Sequence, residues 1–321
     1  MRWCGMTIAF CITSMLYCCS ASAQLIAEEK QAVAFVFGTV HLKGPDNHTK
    51  AIDAALGTAF FVAYPDPRGG PDYSFSYVVT AKHVLKDQDG TYLKKIRLRV
   101  NQRNGGAADF TDDIPVSDDQ GRLQWFHDND EAVDVAALPF LPDQKKYEYR
   151  EIPTSLFADD AALKKDNVAE GDPLYFIGLM AQYYGVTRNY PVFRRGTFAL
   201  MTDEQIDTPT GRQNAYIAEL ASWPGNSGSP VFLSLGGLRG SQLQLGERIE
   251  FLGILSGSFL NKFSGTMLDA TTVGWGNDAE TGISFIVPAS KLKAVLDSAP
   301  AQARRDQELR VFPPPRGNNA R

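Results

Sequence analysis

SWPGNSGSPVF, Ser222–Phe232, sets a serine between two glycines, behind a proline and an asparagine, at the entry to an apolar run. Gly, Pro, Asn and Ser supply positive φ, fixed φ and local side-chain hydrogen bonds, so such a cluster forms a turn in any fold. The same glycines leave the backbone N–H groups around Ser227 free to converge on one point. That makes Ser227 a candidate nucleophile beside an oxyanion hole. The stretch supports both readings, and the partners that a serine nucleophile needs must come from elsewhere in the chain.

A serine hydroxyl becomes nucleophilic when a base takes its proton, and near neutral pH that base is usually histidine. The chain has four, His41, His48, His83 and His127, all preceding Ser227. This order excludes the α/β-hydrolase arrangement, in which the histidine follows the serine, and the Gly-x-Ser-x-Gly elbow fails because residue 229 is Ser. His83 lies in YVVTAKHVLKD (Tyr77–Asp87), where an apolar strand runs into a turn that would fix the imidazole at its end. His41 and His48 belong to a polar loop with Pro45 and Asn47 and are expected to be solvated. His127 sits among carboxylates in WFHDNDEAVD (Trp125–Asp134), but one imidazole at no ligand spacing predicts a solvated acidic loop and no metal site. The third partner must orient the imidazole. Asp134, flanked by valines at the start of an apolar strand, fits better than Asp128 or Asp130 in their polar surroundings.

From Ala32 onward the chain alternates short apolar runs with Gly, Pro, Asn and Asp. Strands are predicted at 32–40, 57–64, 76–81, 95–100 and 133–140, and again at 173–179, 194–200, 215–221, 229–234, 249–257 and 282–288. The β-branched and aromatic residues at this spacing predict an all-β architecture, sandwich or barrel. The polar segment 147–170 is expected to connect the two sets. A helix is predicted over Pro288–Ala299, and the remainder from Pro300 is expected to be a mobile tail.

Residues 1–23 read as a signal peptide: Arg2, an apolar stretch to about Cys19, and the small-residue site Ala21-Ser22-Ala23 before Gln24. All four cysteines (Cys4, Cys11, Cys18, Cys19) lie in it, so the mature chain is expected to hold no disulfide or thiolate site. The formal charge of −5, with no basic cluster, points away from nucleic acid, and no long apolar span follows the leader to serve as a membrane anchor. An exported protein, periplasmic or secreted, is the expectation.

TAKHV, DVAAL and GNSGSP, in the order His83, Asp134, Ser227, resemble the three signature segments of the chymotrypsin-like (trypsin-fold) serine proteases. The resemblance extends over about residues 32–298. It implies an all-β fold of two six-stranded antiparallel barrels, residues 24–150 and 151–299, with a C-terminal helix and the site in the cleft between them. It also implies that His83 acts as general base and acid, that Asp134 orients it, and that Ser227 attacks the carbonyl. The N–H groups of Gly225 and Ser227 would form the oxyanion hole. By the same resemblance Ser256 supports the Asp134 carboxylate, and Ser256, Gly257 and Ser258 pair with an extended polypeptide substrate. Ala221, Ser222, Leu255 and Ser284 would shape an uncharged specificity pocket that suits a small or apolar P1 residue. No cofactor is implied.

Four departures carry information. Asn226 stands where digestive members carry an Asp that pairs with a new N-terminal ammonium, so that activation switch is expected to be absent. The chain is similar to cysteine-free bacterial members, the glutamyl endopeptidases and the Deg-type proteases, yet Leu255 replaces the histidine of the former, and the short tail leads to the expectation that the peptide-binding domain of the latter is absent. Lys82 directly before His83 is expected to point to solvent, and Ser229 stands where Gly is commoner. Against the endopeptidase reading stand a catalytically silent peptide-binding protein and an esterase using the same triad.

Overall fold

The computed structural model describes residues 28–312 apart from 44–47, 203, 209, 240–241 and 262–278. The predicted signal peptide and the last nine residues lie outside the described residues.

All eleven predicted strands form. The N-terminal half contains β1 (Val33–Lys43), β2 (Thr49–Pro65), β3 (Ser74–Thr80), β4 (Lys95–Asn101), β5 (Ala108–Phe110), β6 (Ile114–Pro115), β7 (Phe126–His127), β8 (Ala136–Pro139) and β9 (Ile152–Pro153). These make one sheet of nine strands in the order β5-β4-β1-β2-β3-β8-β7, with β6 on β4 and β9 parallel to β2. The sheet is thus wider than the six strands that the resemblance implies, the additions being pieces of two or three residues. In the C-terminal half, β10 (Pro173–Gly178), β11 (Val192–Leu200), β14 (Tyr216–Glu219), β15 (Pro230–Arg239), β16 (Gln242–Asn261) and β17 (Ala279–Pro288) close into a six-stranded antiparallel barrel in the order β10-β11-β14-β17-β16-β15. β12 (Ile206–Thr208) and β13 (Gly211–Gln213) form a separate hairpin.

The alternation that predicted the strands is what fills the core. In β2 the run from Gly57 to Val62 is buried on both faces, and Phe60 meets Phe251 of β16 with ring centroids 5.4 Å apart. One apolar cluster joins Phe60, Val78 and Leu98 of the first sheet to Tyr175, Phe232 and Ile254 of the barrel. A second cluster, including Leu174, Phe198, Leu233 and Leu252, fills the barrel itself. Burying such side chains contributes ~1.5–3 kcal/mol each, so the two halves share a core without any disulfide.

Among the described residues three helices of six or more residues complete the fold: α1 (Asp160–Lys165) in the connecting segment, α2 (Ala289–Leu296) as predicted, and α3 (Ala299–Val311). The expectation of a mobile tail from Pro300 is therefore corrected for residues up to Val311. Its polar sequence hid an anchor. Arg305 is buried, donating to the Tyr77 hydroxyl at 2.9 Å and the Leu296 carbonyl at 2.7 Å, with its guanidinium 4.1 Å from the Tyr64 ring centroid. Arg68 reaches Asp306 at 2.6 Å from the sheet side. Arg305→Met leaves a phenol and a carbonyl unpartnered beneath α3, a loss of about 2–3 kcal/mol that urea denaturation should read as a lowered midpoint.

Candidate active site

The register of the first sheet brings His83 and Asp134 together. β3 pairs with β8 so that Thr80 lies opposite Ala136. Asp134 precedes that pair by two residues, and His83, in the 3-10 turn Lys82–Leu85, follows it by three. The carboxylate is wholly buried and receives three hydrogen bonds. The His83 backbone N–H donates to Oδ1 at 2.9 Å, His83 Nδ1 meets Oδ2 at 2.6 Å, and Ser256 Oγ donates to Oδ2 at 2.6 Å. Ser256 comes from β16, so the carboxylate is held by both halves of the molecule. The rival acids are spent on the loop itself: Asp128 accepts the Asp130 N–H and Asp130 accepts the Ala132 N–H, both at 2.9 Å.

Burial pushes the Asp134 carboxyl up, but the His83 charge and the hydrogen bonds from His83 and Ser256 hold it below the usual carboxylate range. Burial likewise lowers the proton affinity of the His83 imidazole, and the Asp134 charge and hydrogen bond more than offset it. The net result is an imidazole that titrates above its ordinary value, with 37% of its side chain open to solvent. Lys82 is corrected: it is 3% exposed, and its ammonium binds the Glu131 carboxylate at 2.8 Å and the Glu131 carbonyl at 2.9 Å. A lysine stem can lie along the apolar turn because the head finds a carboxylate at the rim.

Ser227 arrives from the loop between β14 and β15. Gly225 and Gly228 flank it at φ 96° and 84°, left-handed backbone that suits glycine. Gly228 has a second reason to be glycine. A Cβ there would lie 2.1 Å from the Thr58 carbonyl oxygen and 2.4 Å from Thr80 Oγ1. The serine turn therefore presses directly on the end of the strand that delivers His83. Gly57 fits the same seam, where a Cβ would meet Val84 at 2.8 Å and the Ser227 carbonyl at 2.9 Å.

The carbonyls of this loop all have partners. Pro224 accepts from the Ala181 N–H at 3.1 Å, Gly225 from Thr58 Oγ1 at 2.9 Å, Asn226 from the Ser229 N–H at 3.0 Å and Ser227 from the Thr58 N–H at 2.9 Å. N–H and C=O of one peptide plane point in opposite directions. Binding of the Pro224 and Asn226 carbonyls thus turns the Gly225 and Ser227 N–H groups the other way, and neither has a partner among the described residues. The Asn226 amide is buried. Its Oδ1 accepts from the Trp223 N–H at 2.6 Å, and its Nδ2 donates to the Leu179 carbonyl. A neutral side chain thus organises the loop from within. Ser229 Oγ is buried with no partner among the described residues, and its space comes from Gly178, where a Cβ would lie 1.9 Å from that oxygen.

The expected pocket residues divide. Ala221, Gly257 and Ser258 are reached by solvent, and Ser222 and Ser256 are nearly closed off. Leu255 and Ser284 are wholly buried: Leu255 packs in the barrel core with Leu252 and Ile286, and the Ser284 hydroxyl is bound to the Leu220 carbonyl at 2.6 Å. Neither side chain is open to solvent in this structure. Arg194 was not anticipated. It donates to the Ala221 carbonyl at 3.3 Å and lies over the Trp223 ring at 5.5 Å. Thr58 was missed as well, although a polar residue inside the apolar run GTAFFV was a visible signal.

No curated protein matches the chain. Among solved structures it is similar to the MamO protease domain from Magnetospirillum magneticum in its apo form, at 15% identity and a TM-score of 0.43, over 84% of this chain and 97% of that one. A family model described as a trypsin-like peptidase domain matches residues 57–240, which include His83, Asp134 and Ser227. That match takes in more than half of the sequence, and the chain belongs to the family of trypsin-like peptidase domains.

Proposed function

We propose that this chain is an exported serine endopeptidase that works through a His83–Asp134–Ser227 triad. The observation that carries the reading is the buried Asp134 carboxylate bonded to His83 Nδ1, with the serine turn packed at Gly228 against the end of the strand before His83 and the Gly225 and Ser227 N–H groups without partners among the described residues. Asp134 fixes the tautomer with the proton on Nδ1, leaving Nε2 to take the proton of Ser227 Oγ as that oxygen attacks the substrate carbonyl. The oxyanion then meets the N–H groups of Gly225 and Ser227. His83 returns the proton to the leaving amine, and water repeats the sequence on the acyl-enzyme.

An extended substrate would add itself along Ser256–Ser258 by backbone pairing. The accessible pocket residues carry no charge, and Arg194 beside Ala221 disfavours a basic P1 side chain, so a small or medium apolar P1 residue is the expected preference. Export with cleavage after Ala23 rests on the leader composition.

The test is a fluorophosphonate probe on the chain starting at Gln24, with the adduct mapped by mass spectrometry, followed by a panel of chromogenic peptides. Adduct at Ser227 that is lost in His83→Ala supports an activated nucleophile. A folded protein that takes no label is instead a peptide-binding relative, and fastest turnover of Arg, Lys or Glu peptides overturns the apolar preference.

A further inference from the structure

Thr58 lies in β2, wholly buried, the one hydroxyl in the run Ala59, Phe60, Phe61, Val62 that follows it. Four hydrogen bonds tie it to three segments. Its N–H donates to the Ser227 carbonyl at 2.9 Å, and its own carbonyl accepts from Thr80 Oγ1 at 2.7 Å. Its Oγ1 accepts from the Leu179 N–H at 2.8 Å and donates to the Gly225 carbonyl at 2.9 Å.

The hydroxyl has one proton, so this is a directed chain from the Leu179 N–H through Oγ1 to the Gly225 carbonyl. Leu179 is also the residue whose carbonyl binds Asn226 Nδ2. Thr58 therefore joins the first sheet to both strands of backbone that frame Ser227. We propose that Thr58 is a positioning residue for the oxyanion loop, its hydroxyl holding the Gly225 carbonyl and with it the Gly225–Asn226 peptide plane, which sets the Gly225 and Ser227 N–H groups on either side toward the reacting carbonyl. This rests on the reading of Ser227 as nucleophile.

Valine has the shape of threonine without the hydroxyl. In Thr58→Val the Leu179 N–H and the Gly225 carbonyl are both left buried and unpaired, which is costly. Relief is closest at Gly225, where φ is 96° and glycine tolerates rotation. Rotation there carries the neighbouring N–H out of line with the oxyanion. Substrate binding depends on the pocket and on Ser256–Ser258, which Thr58 does not touch, so the loss falls on kcat and spares KM.

The experiment compares wild type, Thr58→Val, Thr58→Ser and Thr58→Ala for fluorophosphonate labelling rate at Ser227, for kcat and KM on one peptide, and for thermal melting. The expected result is a ~100-fold fall in labelling rate and kcat for Val, the scale of one lost oxyanion donor. KM should stay within about twofold, and Ser should recover to within about threefold of wild type by restoring both bonds. If Val does not melt cooperatively, the ratio of Ser to Ala carries the same comparison, since they differ by one hydroxyl. Equal kcat in the hydroxyl-bearing and hydroxyl-free variants, with only melting changed, overturns the proposal. Absence of labelling in folded wild type overturns the nucleophile reading itself and is recognisable as such, because it precedes any substitution.

Discussion

Ser227→Ala is expected to lower kcat for peptide hydrolysis by roughly 10⁶-fold and to leave the melting temperature unchanged. The size follows from how a triad works: nucleophile and base act as a unit, so losing either removes the whole covalent route. The intact stability follows from the structure. The backbone bonds of the serine turn, among them those from the Thr58 N–H to the Ser227 carbonyl and from the Gly228 N–H to the Leu255 carbonyl, survive the change, and the Ser227 side chain makes no hydrogen bond among the described residues. His83→Ala reaches a similar floor by a different path. It strips Asp134 of its ring partner and leaves a buried carboxylate with Ser256 and one backbone N–H, a loss on the order of 3–5 kcal/mol. Stopped turnover with equal melting for Ser227→Ala, lowered melting for His83→Ala, and no additive loss of rate in the double variant would together identify a working triad. Equal peptide binding by wild type and Ser227→Ala, with no turnover in either, would identify a silent binding protein.

The long strands were legible because each is an alternating or fully apolar run longer than its neighbouring turns. The short ones were not: Ile114–Pro115 and Phe126–His127 are two residues each, set by pairing with β4 and β8 and not by any periodicity of their own. Helix α3 was hidden for a related reason. Its residues are polar almost all round, and what docks it is one buried arginine whose partners, Tyr64 and Tyr77, are more than two hundred residues away in sequence. At the site, the reading of His83 by its strand-end context and of Asp134 by the valines around it picked out two residues that the fold brings together, while Ser227 was read from its glycines. Thr58 could not be read, because its role lies in carbonyls that a sequence does not place. Lys82 misled for the opposite reason. A charged side chain beside the turn histidine reads as solvated until a carboxylate three residues before Asp134 is found to receive it.

Asp134→Asn is expected to lower kcat by about 10⁴-fold, although it preserves shape. The backbone decides why. In the native site Oδ1 accepts the His83 N–H and Oδ2 accepts the ring Nδ1–H together with Ser256 Oγ. An asparagine has one oxygen and one NH₂ for these two places. With the NH₂ toward the His83 backbone, two donors face each other. The other orientation is favoured, and it points the NH₂ at Nδ1. The ring then accepts at Nδ1 and keeps its proton on Nε2, where it cannot take the proton of Ser227. The pH profile should move as well. Only a neutral imidazole serves as base, and His83 titrates above 6.5 in the native protein, so kcat/KM rises with pH through a midpoint above 6.5. Without the Asp134 charge the desolvation that lowers the imidazole's proton affinity acts unopposed, and the residual activity of the variant should rise through a lower midpoint. Stability carries the matching signature. The raised His83 contributes stability that is fully present below 6.5 and lost as pH rises through its folded value; the depressed Asp134 contributes stability present above 3.8 and lost as pH falls through its own. The pair therefore stabilises most between those limits. Urea unfolding of wild type and Asp134→Asn across pH 3 to 9, a span of about six units, should show their difference widest in that window. A difference that stays flat with pH would mean that His83 and Asp134 do not share a charge, and the triad would lose its orienting member.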